Sequence, residues 1–433
     1  MSDLVLRAQR VLIDGELRPA SVVVSGGVIT DIGDVDAGTG APIQIELPAH
    51  TVLLPGFVDT HVHVNEPGTD WEGFGTATAA AAAAGITTIV DMPLVCRPVT
   101  TTVSALRAKQ AVAEGNCHVD VGFWAGVVPE NLGELEALAA AGVRGFKCFL
   151  ADSGNPDFGY LTTAQFRTAM NRIAELGSVL LVHAESHRVI VDSSPPRGRR
   201  YASFLRSRPD SAEEDAVGLV IDTAAASGAR AHIVHVSSAN VLPMLADAKR
   251  VGIPVTAETC PHYLTFTAEA IPDGGTEFAA CPPVRDAANR DRLWGGLLDG
   301  TVDMVVSDHS PCSPNLKAGG DFGRAFGGVS SLQVGPGAVW AHAVQRGFGL
   351  PDLSRWMAQQ PAALARFADR GRIAPGLRAD LCAFDPDVET HVHTDDLLHR
   401  HRVSPYDGVT IQGAALQTWV AGVPVLGKVA EPA

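Results

Sequence analysis

The sequence has few cysteines, no long apolar run and no excess of basic residues, and each of these features excludes a class of protein. Its seven cysteines among 433 residues form no CxxC pair, which indicates free thiols in a reducing compartment and not a disulfide scaffold. No apolar run approaches the ~20 residues that span a bilayer. The 33 basic residues are outnumbered by 48 acidic ones, for a formal charge of −15, which disfavours nucleic acid and anionic membranes as partners.

The first residues, MSDLVLRAQRVLIDGE, are also without the basic cap and apolar core of a signal peptide. These features together lead us to expect a soluble cytoplasmic protein. A chain of this length exceeds the ~250–300 residues that usually share one core, so we expect one large domain and one smaller domain.

The two ends of the chain have a texture of short strands and turns. Residues 1–52 include SVVVSGG followed by VITDIGDV, and residues 374–433 include ADLCAFDP and VTIQGAALQTWVAGVPVLGK. Gly-Gly pairs between alternating apolar residues are typical of hairpins. We predict that the two ends meet in one small β-sandwich domain.

Residues 53–373 alternate between buried strands and helical stretches such as the alanine-rich WEGFGTATAAAAAAG. The predicted strands are GFVDTHVHV, ITTIVDMP, HVDVGFWAGV, RGFKCFL, VLLVHAE, AHIVHVSS, PVTAETCPHY and VDMVVSDHS. Eight strands with helical spacers predict a (β/α)8 TIM barrel. A doubly wound open sheet is the alternative, because alternation alone does not show closure. The insertion SSPPRGRRYASFLRSRP (193–209) is expected above the barrel mouth.

Metal-ligating side chains stand at the ends of these strands. His61 and His63 are one residue apart in DTHVHVNEPG, with Asn65 next in the same alternation, so a strand would point them to one side. Active sites of such barrels lie at the carboxyl ends of the strands, and we expect all the candidates to converge there. The others are Lys147, His183, His235 and Asp308.

Lys147 suggests what this set does. An ammonium group among metal cations is electrostatically unfavourable, so we interpret Lys147 as a neutral amine that adds carbon dioxide. The carbamate would bridge two divalent ions, with zinc favoured and manganese, iron or cobalt as alternatives. Such ions would share and activate a water molecule and polarise a carbonyl group. Asp308 is the candidate to move the proton to a leaving nitrogen.

Several similar residues are interpreted differently. His309 should face away from Asp308, and HVHTDDLLHRH (391–401) is expected to form a solvated face of the terminal β domain. His262, at the predicted end of strand seven, is expected to support a metal ligand without binding metal itself. Three cysteines near strand ends are interpreted as lining of the cavity: Cys96, Cys148 and Cys281.

With these residues the sequence resembles the amidohydrolase superfamily, in its cyclic-amide branch of dihydroorotases, hydantoinases, dihydropyrimidinases and allantoinases. The match runs from LPGFVDTHVHV to GLRADLCAFDPD. The resemblance implies a homotetramer and a carboxylated lysine between two metals. It places His61 and His63 on one metal, His183 and His235 on the other, Lys147 between them, and Asp308 as ligand and base.

Asn65 points to one activity within this branch. Dihydroorotases carry arginine at this place to pair with a substrate carboxylate, whereas an asparagine offers neutral donors and an acceptor. Allantoinases are similar to this chain over long strings: DWEGFGTATAAAAAAGITTIVDMPL, FKCFLADSG, ETCPHYLTF, CPPVRDAANRDRLW and SDHSPCSPNLK. The resemblance therefore implies hydrolysis of the hydantoin ring of allantoin to allantoate.

The same resemblance suggests the substrate contacts. Cys281 and the Gly327–Gly328 turn would offer backbone groups to the ring amides, and Asn65 and Ser153 would line the side of the ureido arm. Two departures from the pattern, VCRP (95–98) and Phe326, would alter substrate fit without touching the metals.

Other functions stay open at this point. A hydantoinase or dihydropyrimidinase is the main alternative, and a dihydroorotase is less favoured because of Asn65. A metal-free scaffold protein on the same fold is disfavoured because no metal ligand is missing.

Overall fold

The computed structural model describes residues 3–37 and 40–425, so the end of the predicted C-terminal segment, residues 426–433, lies outside the described residues. Within the described ranges, no helix is both long enough and apolar enough to cross a bilayer. The strands are β1 Leu4–Ile13, β2 Glu16–Ser25, β3 Val28–Gly33, β4 Ile43–Glu46, β5 Val52–Pro55, β6 Phe57–Val62, β7 Ile86–Asp91, β8 Asp120–Phe123, β9 Ala125–Gly126, β10 Phe146–Phe149, β11 Val179–His183, β12 Arg230–Ile233, β13 Val255–Thr259, β14 Met304–Val305, β15 Leu381–His391, β16 Thr410–Val420 and β17 Val423–Val425.

Helices occupy most of the connections between β6 and β15. They are α1 Phe74–Ala83, α2 Val103–Ala113, α3 Leu135–Ala140, α4 Thr163–Glu175, α5 His187–Asp192, α6 Tyr201–Ser207, α7 Asp210–Ser227, α8 Leu242–Arg250, α9 Pro261–Thr265, α10 Ala287–Asp299, α11 Gly335–Val344, α12 Leu350–Ser354 and α13 Gln360–Leu364.

Strands from both ends of the chain form one eight-stranded sheet, in the order β17-β16-β15-β5-β1-β2-β3 with β4 beside β1. The hairpin between β1 and β2 turns at Asp14–Gly15, both with positive φ, as a tight hairpin turn requires. Antiparallel pairing of Leu381 with Pro55 joins the C-terminal strands to the N-terminal ones. The sheet therefore continues to Pro55, beyond the boundary predicted at residue 52.

The middle of the chain forms a closed parallel barrel. Its strands follow each other in space in chain order, and β8 and β9 share one position that is interrupted at Trp124. The ring closes where His309, which follows β14, bridges Val62 and accepts a hydrogen bond of 2.8 Å from the backbone N–H of His63. This closure excludes the doubly wound open sheet, and the predicted barrel fold is confirmed.

The barrel packs closely against the terminal sheet behind α1. This alanine-rich helix ends before Gly85, whose φ of +83° suits a residue without a side chain. A Cβ atom on Gly85 would lie 2.5 Å from Sγ of Cys382 in β15. Glycine is therefore needed here both for the backbone conformation and for the contact between the domains.

Residues 397–406 leave the terminal sheet and lie against the barrel. The His399 ring packs on the His309 ring, with centroids 4.5 Å apart. The backbone N–H of Arg400 donates to the buried Glu72 carboxylate. His391 and His393 are exposed as predicted, but His399 is only 3% exposed. The prediction that 391–401 is a solvated face is thus wrong at Leu397 and His399, because tertiary contacts bury these two side chains.

Candidate metal centre

The side chains of the six predicted ligands meet at the carboxyl ends of the barrel strands. All are buried, and none exceeds 8% exposure. His61 lies in β6 and His63 directly follows it, Lys147 lies in β10, His183 ends β11, His235 follows β12, and Asp308 follows β14.

Their donor atoms form two adjacent groups. In the first group, Nε2 of His61 lies 3.1 Å and Nε2 of His63 lies 3.5 Å from Oδ1 of Asp308. In the second group, Nδ1 of His183 lies 2.9 Å from Nε2 of His235. The rings of His61 and His235 have centroids 5.4 Å apart, so the two groups are neighbours. A pair of ions could be held side by side by such a set.

Burial keeps most of these imidazoles neutral. It lowers the pKa of His63 to about 4 and holds the pKa values of His183 and His235 well below the usual value. A neutral imidazole has the free lone pair that a metal ion requires. His61, His63 and Asp308 offer one ligand atom each within 4.8 Å of the others, a donor set that fits a divalent cation when the ion displaces the proton of His61.

Two buried glutamates decide which ring nitrogens face the centre. Glu258 in β13 accepts a hydrogen bond of 2.5 Å from Nδ1 of His61. Glu185 lies 2.7 Å from Nε2 of His183. Each contact leaves the other ring nitrogen for a metal, as carboxylates bound to ligating histidines commonly do. Sequence reasoning missed both residues. The available signal was a charged residue inside a buried strand or two residues after one.

Glu258 also contributes, with Asp308, to the charge of His61. Burial disfavours a charged His61, but Asp308 and Glu258 outweigh it and raise the pKa of His61 to about 9. For Glu258 itself, burial raises the pKa, and the contacts with His61 and His232 lower it by more. Its second oxygen lies 2.8 Å from Nε2 of His232. Glu258 is thus an ionised carboxylate held between two histidines.

The pKa values of Lys147 and Asp308 both lie below their usual values. Burial lowers the pKa of Lys147 to about 8, although Glu258 and Asp308 oppose this. Burial raises the pKa of Asp308, but His61 and His63 outweigh burial and hold it well below the usual value. The lysine can therefore lose its proton at mildly alkaline pH, and Asp308 is an ionised carboxylate, the form that binds a cation.

The backbone at two of these positions is strained. His235 has a φ of +41° and Asp308 a φ of +44°, in a region that residues other than glycine adopt at a cost of about 1–3 kcal/mol. Such outliers concentrate at functional sites, where the surrounding structure holds them. At Asp308 the hydroxyl of Ser310 donates to Oδ1 at 3.1 Å.

The six side chains open into a cavity of about 740 Å³. Residues of the predicted insertion 193–209 line this cavity, and the insertion carries α6. Arg199 in the insertion donates to the carbonyl groups of Gly319 and Asp273, both at 3.3 Å. A Cβ atom on Gly320 would lie 2.4 Å from the Arg199 guanidinium, so these mouth segments are interlocked.

Asn65 reaches the cavity in a way that strand alternation does not explain. β6 already ends at Val62, and Asn65 has a φ of +62°, which asparagine tolerates better than most residues. Its Nδ2 donates to the carbonyl of Pro311 at 3.2 Å, while its buried Oδ1 has no partner. The amide oxygen is therefore free to accept a hydrogen bond from a ligand.

The other predicted substrate contacts differ in their availability. Ser153 and Cys281 line the cavity, although the Ser153 hydroxyl donates to the carbonyl of Phe158 within its own loop. Gly328 does not line the cavity; its neighbour Gly327 does. The N–H of Gly328 donates to the carbonyl of Ala279 at 2.9 Å, so it cannot also bind a ring amide.

Comparison with known proteins identifies the family of this chain. The model of the Amidohydrolase family matches residues 52–428. The chain belongs to this family. It is similar to a protein named allantoinase from Streptomyces avermitilis, with 48% identity covering 100% of this chain and 98% of that protein. An allantoinase of Saccharomyces cerevisiae is 40% identical over 96% of this chain and 94% of its own length.

Among solved structures, the amidohydrolase chain is similar to an L-hydantoinase (dihydropyrimidinase) from Arthrobacter aurescens. The TM-score is 0.92 at 28% identity, with 99% of this chain and 97% of the other covered. A dihydropyrimidinase from Brevibacillus agri gives a TM-score of 0.89, also at 28% identity. The TIM barrel with a smaller β-sandwich domain is therefore the fold of this amidohydrolase.

The structure also shows the positions of the residues that sequence analysis did not assign as metal ligands. His309 faces away from the centre as predicted, 3.2 Å from a Glu72 oxygen. His262 lies in α9 and not at a strand end. Cys96 and Cys148 are buried outside the cavity lining, so their interpretation as lining is wrong. For Cys148 the reason is strand alternation, since its neighbour Lys147 points inward.

The repeated histidines near residue 391 form no second centre. A cavity of about 150 Å³ lies beside His391 and His393. Within residues 3–37 and 40–425, however, no group of three metal-ligating side chains includes either of them.

Proposed function

We propose that this amidohydrolase opens the hydantoin ring of allantoin to give allantoate, with two divalent metal ions and a carboxylated Lys147. The observation that carries this is the convergence of six buried, potentially metal-ligating side chains beside an asparagine with a free amide oxygen. The similarity to allantoinases over the whole chain supports the same substrate.

Different side chains would bind the two metal ions and transfer the proton. His61, His63 and Asp308 would hold one ion, His183 and His235 the other, and the Lys147 carbamate would contact both. Bound divalent ions, zinc being favoured, supply an activated water molecule and a polarised carbonyl group. The ionised Asp308 carboxylate accepts the proton of the attacking water and delivers it to the ring nitrogen as the C–N bond breaks.

Asn65 supports a neutral substrate. Its free Oδ1 can accept a hydrogen bond from an N–H group of the ring or of the ureido arm. A substrate carboxylate, as in dihydroorotate, would instead require a cation at this position. Ser153 and Cys281 would line the rest of the substrate, with Gly327 in the place predicted for Gly328.

A comparison of substrates tests this proposal. Enzyme loaded with zinc should open allantoin faster, by kcat/KM, than dihydrouracil, phenylhydantoin or dihydroorotate. A preference for phenylhydantoin or dihydrouracil would instead support a hydantoinase or dihydropyrimidinase, the activity named for the similar solved structures. No turnover of allantoin would refute the specific proposal.

We propose that the protein acts in the cytoplasm. All seven cysteines are free thiols, which supports a reducing compartment such as the cytoplasm.

A further inference from the structure

A second group of metal-ligating side chains lies beside the proposed centre. Cys260 directly follows β13, and His262 lies in the first turn of α9. Together with Asp308 they offer one ligand atom each, and these atoms lie within 4.8 Å of one another. Cys260 and His262 are fully buried, and Asp308 is 8% exposed. Neither Cys260 nor His262 belongs to the six ligands of the proposed centre.

His262 provides an independent reason to expect a ligand here. Both of its ring nitrogens are buried and neither has a hydrogen-bond partner. A buried polar atom without a partner costs about 1–3 kcal/mol, so native structures rarely leave one unsatisfied. One of these orphaned nitrogens belongs to the donor group with Cys260 and Asp308. His262 therefore has a ring nitrogen that is free to bind a metal ion.

The type of donors selects the type of ion. A thiolate combined with an imidazole suits zinc and other thiophilic cations, whereas calcium and magnesium require oxygen ligands. The three donors leave a fourth tetrahedral position for water or substrate.

We propose that Cys260, His262 and Asp308 form an additional cation site that takes a thiophilic divalent ion, such as excess Zn²⁺ or Cd²⁺. Binding replaces the proton of the Cys260 thiol, which leaves to solvent as the metal–sulfur bond forms. With one oxygen on the proposed centre and the other on this additional ion, the Asp308 carboxylate would have no oxygen left to accept a proton, so the ion inhibits the enzyme. The inhibition rests on the proposed function, whereas the site itself does not.

Titration with cadmium tests the site directly. Enzyme that already holds two equivalents of zinc is mixed with Cd²⁺, desalted, and assayed for both metals and for the near-ultraviolet sulfur-to-cadmium charge-transfer band. We expect both zinc ions to stay, one equivalent of cadmium to bind, and the band to appear. Cys260→Ser should lose the band and the cadmium. Cys281→Ser, which removes the thiol that lines the cavity, is the matched control and should keep both.

A second variant keeps the proposal testable if Cys260→Ser does not fold. His262→Gln keeps the thiol and removes a ligand, so it should weaken cadmium binding by at least the ~10–100-fold that loss of a residue behind a ligand costs. The proposal is overturned if wild-type enzyme binds no cadmium beyond its two zinc ions, or if Cys260→Ser shows the same band. Bound cadmium that leaves allantoin turnover unchanged would overturn the inhibitory role alone. Failure of the two-zinc enzyme to open allantoin would refute the proposed function and leave the site intact.

Discussion

Among individual side chains, the buried carboxylate of Glu258 is the contact that orients His61 toward a metal. Glu258→Gln keeps the size of the side chain but removes the charge that holds Nδ1 of His61. We expect metal affinity to fall about 10–100-fold, as for other carboxylates behind a ligating histidine. Competition with a chelator measures this.

Glu213→Gln is the control for that experiment. Glu213 is also buried, accepts hydrogen bonds from the N–H groups of Ser237 and Ser238, and pairs with Arg285. It touches none of the six ligands, so its loss should lower stability and leave metal affinity unchanged. Equal loss of affinity in both variants would mean that Glu258 acts only through stability.

Lys147 should take up carbon dioxide in a manner that depends on pH. Only the neutral amine reacts, and burial lowers the pKa of Lys147 to about 8. Since the folded pKa lies below the usual value for lysine, the neutral fraction rises from about a tenth at pH 7 to about nine tenths at pH 9. Carbon-13 NMR of metal-free protein, with dissolved ¹³CO₂ held constant, should show a carbamate signal that grows over this range.

Lys317 is the control for assigning the carbamate signal to Lys147. Burial also lowers the pKa of Lys317 to about 8, but its Nζ donates to the carbonyl groups of Thr276 and Ala279. Lys147→Gln should abolish the signal, and Lys317→Gln should keep it. A signal that survives Lys147→Gln would place the modification elsewhere.

Asn65 should contribute to substrate binding through its amide. Asn65→Gly removes the amide and tolerates the φ of +62°. Loss of about one hydrogen bond, worth about 1–1.5 kcal/mol, should raise the KM for allantoin roughly tenfold without changing metal content. Asn131→Ala, which removes a buried amide outside the cavity, should not affect KM. An unchanged KM in Asn65→Gly would contradict the role given to this residue.

Among helices and loops, the segments around the barrel mouth depend on Arg199. Its contacts with Gly319 and Asp273 join the insertion to two other loops. In Arg199→Ala we expect amide hydrogen exchange of residues 319–323 to speed up about fivefold, for the loss of about 1 kcal/mol. Mass spectrometry measures this. Arg206→Ala changes a side chain on the exposed side of α6 and should leave the exchange rate of residues 319–323 unchanged. Equal exchange rates in wild type and Arg199→Ala would show that this loop is stable without the Arg199 contacts.

The sequence predicted the regular elements better than the connections between them. The eight barrel strands were recognisable because strands buried on both faces read as continuous apolar runs. The position of Asn65 was not, because it depends on a backbone turn with positive φ after β6. The segment PVTAETCPHY predicts a strand that ends near His262, whereas α9 begins at Pro261, because proline is often the first residue of a helix.

For the molecule as a whole, we predict a homotetramer on the basis of the family resemblance. Light scattering should then give about 180 kDa, four times the 45.2 kDa of one chain. Metal-free protein should have the same mass, because none of the six ligands lies on the surface. A mass near that of one chain would contradict the prediction.

The alternation of apolar strands and helices and the spacing of His61, His63 and the later ligands were enough to predict a barrel with a metal centre, because local periodicity and strand direction are written in neighbouring residues. The carboxylates behind the ligands, the burial of His399 against His309 and the donor group around His262 depend on contacts between residues far apart in the chain. Only the closed barrel brings those residues together. The pKa values of Lys147 and Asp308 follow from that closure, since burial and neighbouring charges exist only in the folded chain.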